Sequence, residues 1–155
     1  MTWAPNHSRD TQQAGPSPEG WEKGHLSDHL VGKPKNGYSA REVDHQTGTS
    51  VLGLGCLTPD GFKPNHLKQV LPSPRSNAAL LQDGDLLISR SNTRELVGLA
   101  GVFKDTGSPT TYPDLMMRLT PAGTTSARYL EALLRSPELR RQIQAKGTGT
   151  SGSMV

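Results

Sequence analysis

Apolar positions in this chain come in short bursts separated by polar, turn-forming stretches. The densest burst runs from Leu80 to Phe103, LLQDGDLLISRSNTRELVGLAGVF. Asp83-Gly84-Asp85 is a turn signal, because Gly takes positive φ cheaply and Asp bonds its own backbone. The run Leu86-Leu87-Ile88 that follows has the length of a buried strand. Ser89 to Arg94 then interrupts the pattern with six polar residues. Leu96 to Phe103 resumes it as a second strand, in which Gly98 and Gly101 permit a bulge or a close backbone approach. The pattern predicts strand, polar loop, strand.

Residues 1–20 are polar, rich in Pro and Gly, and without periodicity, which predicts a disordered or loosely attached leader. Trp21 is expected to start the fold and anchor it with its ring, with Leu26, Leu30 and Val31 at near-helical spacing below it. Pro34 and the Asn36-Gly37 pair predict a turn-rich loop over Gly32–Ser39. Ser50–Leu57 reads as a strand, Thr58–Phe62 as a turn and His66–Leu71 as a short or edge strand. Pro72–Asn77 and Asp105–Pro113 read as loops. Leu115–Leu119 is the last strand, with Met116 and Met117 on opposite faces, so that at least one fills a core.

A helical pair closes the chain. Thr124, Thr125 and Ser126 offer N-caps, and Tyr129/Leu133 and Leu130/Leu134 are i,i+4 pairs. Ser136-Pro137 restarts the helix as N-cap and first-turn Pro, Leu139 and Ile143 continue the apolar stripe, and Gly147 stops it as the residue after the C-cap. Thr148–Ser153 is only Gly, Ser and Thr. The expected class is α+β, with mixed and antiparallel strands and a C-terminal helical pair.

Composition adjusts this picture modestly. A length of 155 residues predicts one domain, here 21–147, and 17 Gly with 12 Pro fit its many turns. The formal net charge is +3. The segment 125–146 alone holds five basic residues (Arg128, Arg135, Arg140, Arg141, Lys146) against Glu131 and Glu138, an excess of three that equals the whole net charge. A positive helix can follow a phosphate backbone or meet an acidic subunit, although a solvated helix face has the same composition. Cys56 is the only cysteine, which excludes an intramolecular disulfide and suits a reducing compartment. No apolar run approaches the roughly 20 residues of a membrane span. The N-terminus lacks a signal-peptide core, so a cytoplasmic protein is expected.

Two polar stretches carry recognition chemistry. Lys33, Lys35, Asn36, Tyr38 and Ser39 combine cations, an amide, a phenol and a hydroxyl in one loop. Arg90, Ser91, Asn92, Thr93 and Arg94 form the polar tip of the central hairpin. Arg pairs bidentately with guanine and Asn with adenine, while Lys, Ser and Thr hold phosphates. If the strand persists through the tip, Arg90, Asn92 and Arg94 share one face. Ordinary solvated loops have similar composition.

Catalytic signatures are missing from the sequence. Gly53-x-Gly55 lacks the rest of a dinucleotide fingerprint, and no Walker loop or G-x-S-x-G elbow occurs. His25-x-x-x-His29 has no identifiable third metal ligand, and Cys56 reads as a packed small hydrophobe. A non-catalytic protein without metal or cofactor is expected.

The order G-D-L-L-I-S-R-S-N-T-x-E-L-V-G at Gly84–Gly98 resembles the target-recognition domain of type I restriction–modification specificity subunits. Tyr129-Leu130 and the helix leading into Gly147–Met154 are similar to the segment closing that domain, and Leu26-Ser27-Asp28 is similar to the stretch near its start. The resemblance covers roughly Trp21 to Val155. It implies a DNA reader for one half of a split site, which directs methyltransferase and restriction subunits and can pair as a homodimer of half-subunits. In that family the closing loop packs back on the domain near DNA. An alternative is a protein-binding module that docks on a methyltransferase subunit through a Tyr129/Leu133/Arg140 helix face without affinity for DNA.

Overall fold

The computed structural model describes residues 18–147 and a strand at Ser153–Met154. Most of the leader and of the Gly/Ser/Thr tail assigned from the sequence lies outside the described residues. In chain order the strands are β1 (Lys35–Asn36), β2 (Ser50–Leu52), β3 (Leu57–Thr58), β4 (Gly61–Phe62), β5 (Leu67–Gln69), β6 (Leu86–Ser89), β7 (Ser91–Asn92), β8 (Ala100–Val102), β9 (Thr110–Thr111), β10 (Met116–Leu119) and β11 (Ser153–Met154). The helices are α1 (Pro74–Asn77), α2 (Ala127–Arg135) and α3 (Pro137–Lys146), with 3-10 turns at Leu26–His29 and Leu54–Cys56. The class is α+β, as the apolar pattern predicts, and the C-terminal helices form a pair.

A four-stranded antiparallel sheet, ordered β1-β10-β6-β8, divides the core in two. Successive side chains on a strand point to opposite faces. Leu86, Ile88, Met117 and Leu119 therefore face the helices, packing with Leu130 and Leu134. Leu87 and Met116 face the other way, onto Leu52, Cys56, Phe103 and Tyr112. Both methionines at the strand's centre are core residues, one on each side. Burial on both faces explains why β6 reads as a continuous apolar run instead of an alternating one.

Glycines set two close approaches in this core. At Gly101 on β8 a Cβ would press on the Phe62 backbone, so the β3–β4 hairpin lies directly on the sheet. Gly98 has φ +78°, and a Cβ there would collide with Ile143 of α3. Phe62 and Phe103 meet edge to face at 5.2 Å between ring centroids.

The helical pair follows its capping signals. Ser126 accepts a hydrogen bond from the Tyr129 N–H, and Ser136 caps α3 with Pro137 in the first turn. Buried Glu131 on α2 reaches the outer edge of the sheet, where its Oε2 accepts the Val102 N–H at 2.6 Å. Among the described residues no helix is long and apolar enough to cross a membrane.

Several expectations are corrected. Trp21 is 60% exposed and anchors no core. Leu26 and Leu30 pack on the helix-side core from a 3-10 turn, but Val31 faces solvent. The Gly32–Ser39 stretch contains β1, made a strand by pairing Lys35 with Arg118 and Asn36 with Met117. Asp105–Pro113 contains β9, which pairs parallel to β2, and Pro72–Asn77 contains the single turn α1, capped by Ser73. The strand expected over Ser50–Leu57 ends at Leu52 and passes into a 3-10 turn, and that over Leu96–Phe103 is confined to Ala100–Val102. Gly147 ends α3 in an extended conformation (φ −62°, ψ 136°), without the left-handed C-cap.

Candidate functional site

Strand β1 (Lys35–Asn36) runs antiparallel to β10, and the chain after it continues past the turn that precedes β10. The Gly37 N–H donates to the Met116 carbonyl, and the Tyr38 N–H donates to that of Tyr112. Gly37 is required here because a Cβ would collide with the Tyr112 and Pro113 carbonyls. On the opposite side of β10, the Arg90 N–H donates to the Leu115 carbonyl at 2.8 Å. Both candidate stretches thus converge on the turn that precedes β10.

Asp114 ties them together. Its Oδ1 accepts the Ser39 hydroxyl at 2.6 Å, and its carbonyl accepts Arg90 Nη1 at 3.0 Å. Ser39 and Arg90 are therefore brought to one place, 51 positions apart in sequence. Lys33 and Lys35 are not at that place. They are exposed, and Lys35 pairs with Arg118, further along β10 from Asp114. The Tyr38 ring is half-buried, with the Arg75 guanidinium 4.8 Å above its centre.

The tip itself is held from below. Strand β7 covers only Ser91–Asn92, and its backbone pairs with β11, Asn92 opposite Ser153 and Ser91 opposite Met154. After Asn92 the chain turns, with the Val97 N–H bonded to the Thr93 carbonyl at 2.8 Å. The strand does not persist, so Arg90, Asn92 and Arg94 do not share one strand face. Asn92 Oδ1 accepts the Thr93 N–H at 2.8 Å, so one of its lone pairs serves the turn. Thr93 and Arg94 are exposed. Arg94 borders a shallow cleft of about 260 Å³ with Glu95, Gln144 and Ala145.

Arg140 of α3 fixes this turn. Its Nη1 donates to the Val97 carbonyl at 2.6 Å and its Nη2 to the Glu95 carbonyl at 2.7 Å, where Gln144 Nε2 adds a third bond at 3.2 Å. Burial pushes the Arg140 guanidinium down from its ordinary value. Arg140 thus serves the interior and is not displayed for a partner helix, whereas Tyr129 remains 42% exposed. Two other helix cations are partly neutralised, since Arg128 and Arg135 each approach Glu131 Oε1 at 3.9 Å.

Sequence reasoning missed Asp114, Arg75 and Gln144, and it gave Arg140 to a partner-facing helix face when its guanidinium in fact bonds the Val97 and Glu95 carbonyls. Each acts on residues distant in the chain, and none sits in a motif. Cys56 is buried, donates its S–H to the His66 carbonyl at 3.1 Å, and has its thiol pushed up by burial. His25 and His29 gain no further ligand: among the described residues no group of three or more His, Cys, Asp or Glu side chains can hold a metal ion.

No protein-family model matches the chain, and no curated protein matches it.

Proposed function

We propose that this chain is a non-catalytic DNA-recognition domain of the type I specificity-subunit kind. In that role it reads one half of a split site in the cytoplasm, alongside methyltransferase and restriction subunits, alone or as a homodimer of half-subunits. The observation that carries the reading is the polar tip Ser91–Arg94. The turn just after it is held by Arg140 at the Glu95 and Val97 carbonyls, and Arg90 just before it bonds the Asp114 carbonyl, while Thr93 and Arg94 are exposed. Recognition needs side chains presented by a rigid backbone, so that little ordering is left to binding. Lys33 and Lys35 along the neighbouring edge supply charge for phosphates; Arg94 is the best placed base reader, and Arg90 braces the tip.

Gel shifts on pooled random duplexes at graded salt test this. Affinity falls with log salt at a slope of roughly −0.9 per phosphate contact, and Lys33→Ala or Lys35→Ala each flattens the slope by about one. Arg94→Ala relaxes one position of the selected sequence by about tenfold and leaves the slope nearly unchanged. Salt-independent binding, or none even with methyltransferase subunits present, refutes the reading.

A further inference from the structure

We infer that the cleft beside the Asp114 turn is a binding site for a nucleobase. It lies between the 3-10 turn at Leu54–Cys56 and the turn preceding β10, with a volume of about 330 Å³. That volume falls at the small end of the range for ligand sites, about 300–1,000 Å³. No role in the fold or in the proposed phosphate and base contacts accounts for it.

Its lining selects the ligand class. Leu54, partly buried, and Leu115, 39% exposed, supply apolar surface. The polar groups are few and placed at the edges. Ser39 Oγ already donates to Asp114 Oδ1 and accepts the Asp114 N–H at 3.3 Å, so toward a ligand it can only accept. His66 stands against Gly53, where a Cβ would lie 2.8 Å from Nδ1, and its imidazole can donate or accept according to tautomer. The two charged groups at the rim neutralise each other, Lys68 Nζ lying 3.1 Å from Glu42 Oε2.

A phosphate or carboxylate finds no unpaired cation in this lining, and a polyol leaves the apolar surface unmatched. An aliphatic chain leaves Ser39 and His66 unmatched. A flat ring with N–H donors and acceptors on its edge matches both parts. Ser39 and Leu115 also belong to the convergence point of the proposed DNA-reading stretches, so the cleft opens where a nucleotide would lie. The choice of a nucleobase rests on that reading. The base can come from a free nucleoside or from a nucleotide turned out of a bound duplex, which costs unstacking energy.

The experiment follows backbone amide signals of the labelled full chain by NMR. Four arms are titrated: the four deoxynucleosides, ribose, indole and a pool of random duplexes. At least one nucleoside shifts the amides of Gly53, Gly55 and Leu115, and ribose and indole do not. Gly55→Leu plugs the cleft without strain, because a Cβ at Gly55 finds its nearest neighbour at 3.8 Å. It weakens nucleoside binding by about tenfold or more, and Leu115→Ser does the same from the opposite wall. Duplex that shifts the cleft amides in wild type but not in Gly55→Leu, while still binding, identifies an extruded base. Duplex that shifts only the Lys33–Ser39 and Ser91–Arg94 amides identifies a free nucleoside as the ligand. Cleft amides that respond to neither nucleoside nor duplex, or equally to indole, overturn the inference. Failure of the DNA reading alone appears differently, as nucleoside binding in a chain that binds no duplex.

Discussion

Arg140→Ala is the most informative single substitution, because it tests how a helix holds a loop 43 residues away in sequence. The change removes two charge-assisted bonds, to the Val97 and Glu95 carbonyls. Their loss is unequal. Glu95 is exposed and its carbonyl keeps Gln144 Nε2, so water and the amide restore most of that contact. Val97 is 0% exposed, and its carbonyl loses the Arg140 donor in a place that water reaches poorly. Hydrogen bonds to charged groups contribute about 1.5–3 kcal/mol, and a buried orphan costs about 1–3 kcal/mol. The expected destabilisation is therefore about 2–3 kcal/mol, nearly all of it from Val97. At roughly 4 °C per kcal/mol for a chain of this size, the melting temperature falls by roughly 10 °C. Arg140→Lys keeps the charge but not the planar fork, so it recovers one bond and about half of the loss. Amide hydrogen exchange gives the local readout. Protection at residues 96–98 drops in Arg140→Ala, while that of β6 and β10 falls only by the global loss. A melting temperature within about 1 °C of wild type, with unchanged exchange in the turn, would refute the clamp; shifts much below the roughly 4 °C expected per kcal/mol mean that no bond was lost.

Two further expectations follow from buried polar groups. Glu131→Ala leaves the Val102 N–H without its acceptor and costs about 2–3 kcal/mol in urea unfolding, while Glu131→Gln, which keeps an acceptor oxygen, recovers most of it. An alanine variant within about 0.5 kcal/mol of wild type would mean that water replaces the carboxylate. Burial also raises the Cys56 thiol and the Tyr112 phenol above their ordinary values, Arg118 partly opposing the rise at Tyr112. The stability linked to a raised folded-state value is complete below the unfolded value and is lost as pH climbs through the folded one. The urea midpoint is thus level up to about pH 8.5 and declines above it, and Cys56→Ala removes part of the decline. An alkaline limb identical in the two proteins counts against the thiol's share.

Local rules made part of this fold legible from the sequence. The buried run at β6 and the two helices were readable because their signals lie within a few residues of one another. Ser126 and Ser136 cap their own helices, Pro137 starts the second, and Leu130 and Leu134 fall one turn apart on the buried face. The polar character of Ser89–Arg94 was equally plain. What that stretch does was decided by residues far away. Asp114 accepts Ser39 across 75 positions and Arg90 across 24, and neither pairing leaves a trace in local periodicity. Strands β1 and β9 are two residues long and exist through their partners β10 and β2, so Lys35–Asn36 and Thr110–Thr111 read as loop in isolation. Trp21 shows the converse: a large apolar ring suggests an anchor, but among the described residues it stays 60% exposed. Sequence alone therefore determined which segments must be buried or capped, since those demands are met within a turn or a strand. The tertiary structure decided which polar groups display themselves and which brace the backbone, because that depends on which unpaired carbonyl or carboxylate the fold brings within hydrogen-bond reach.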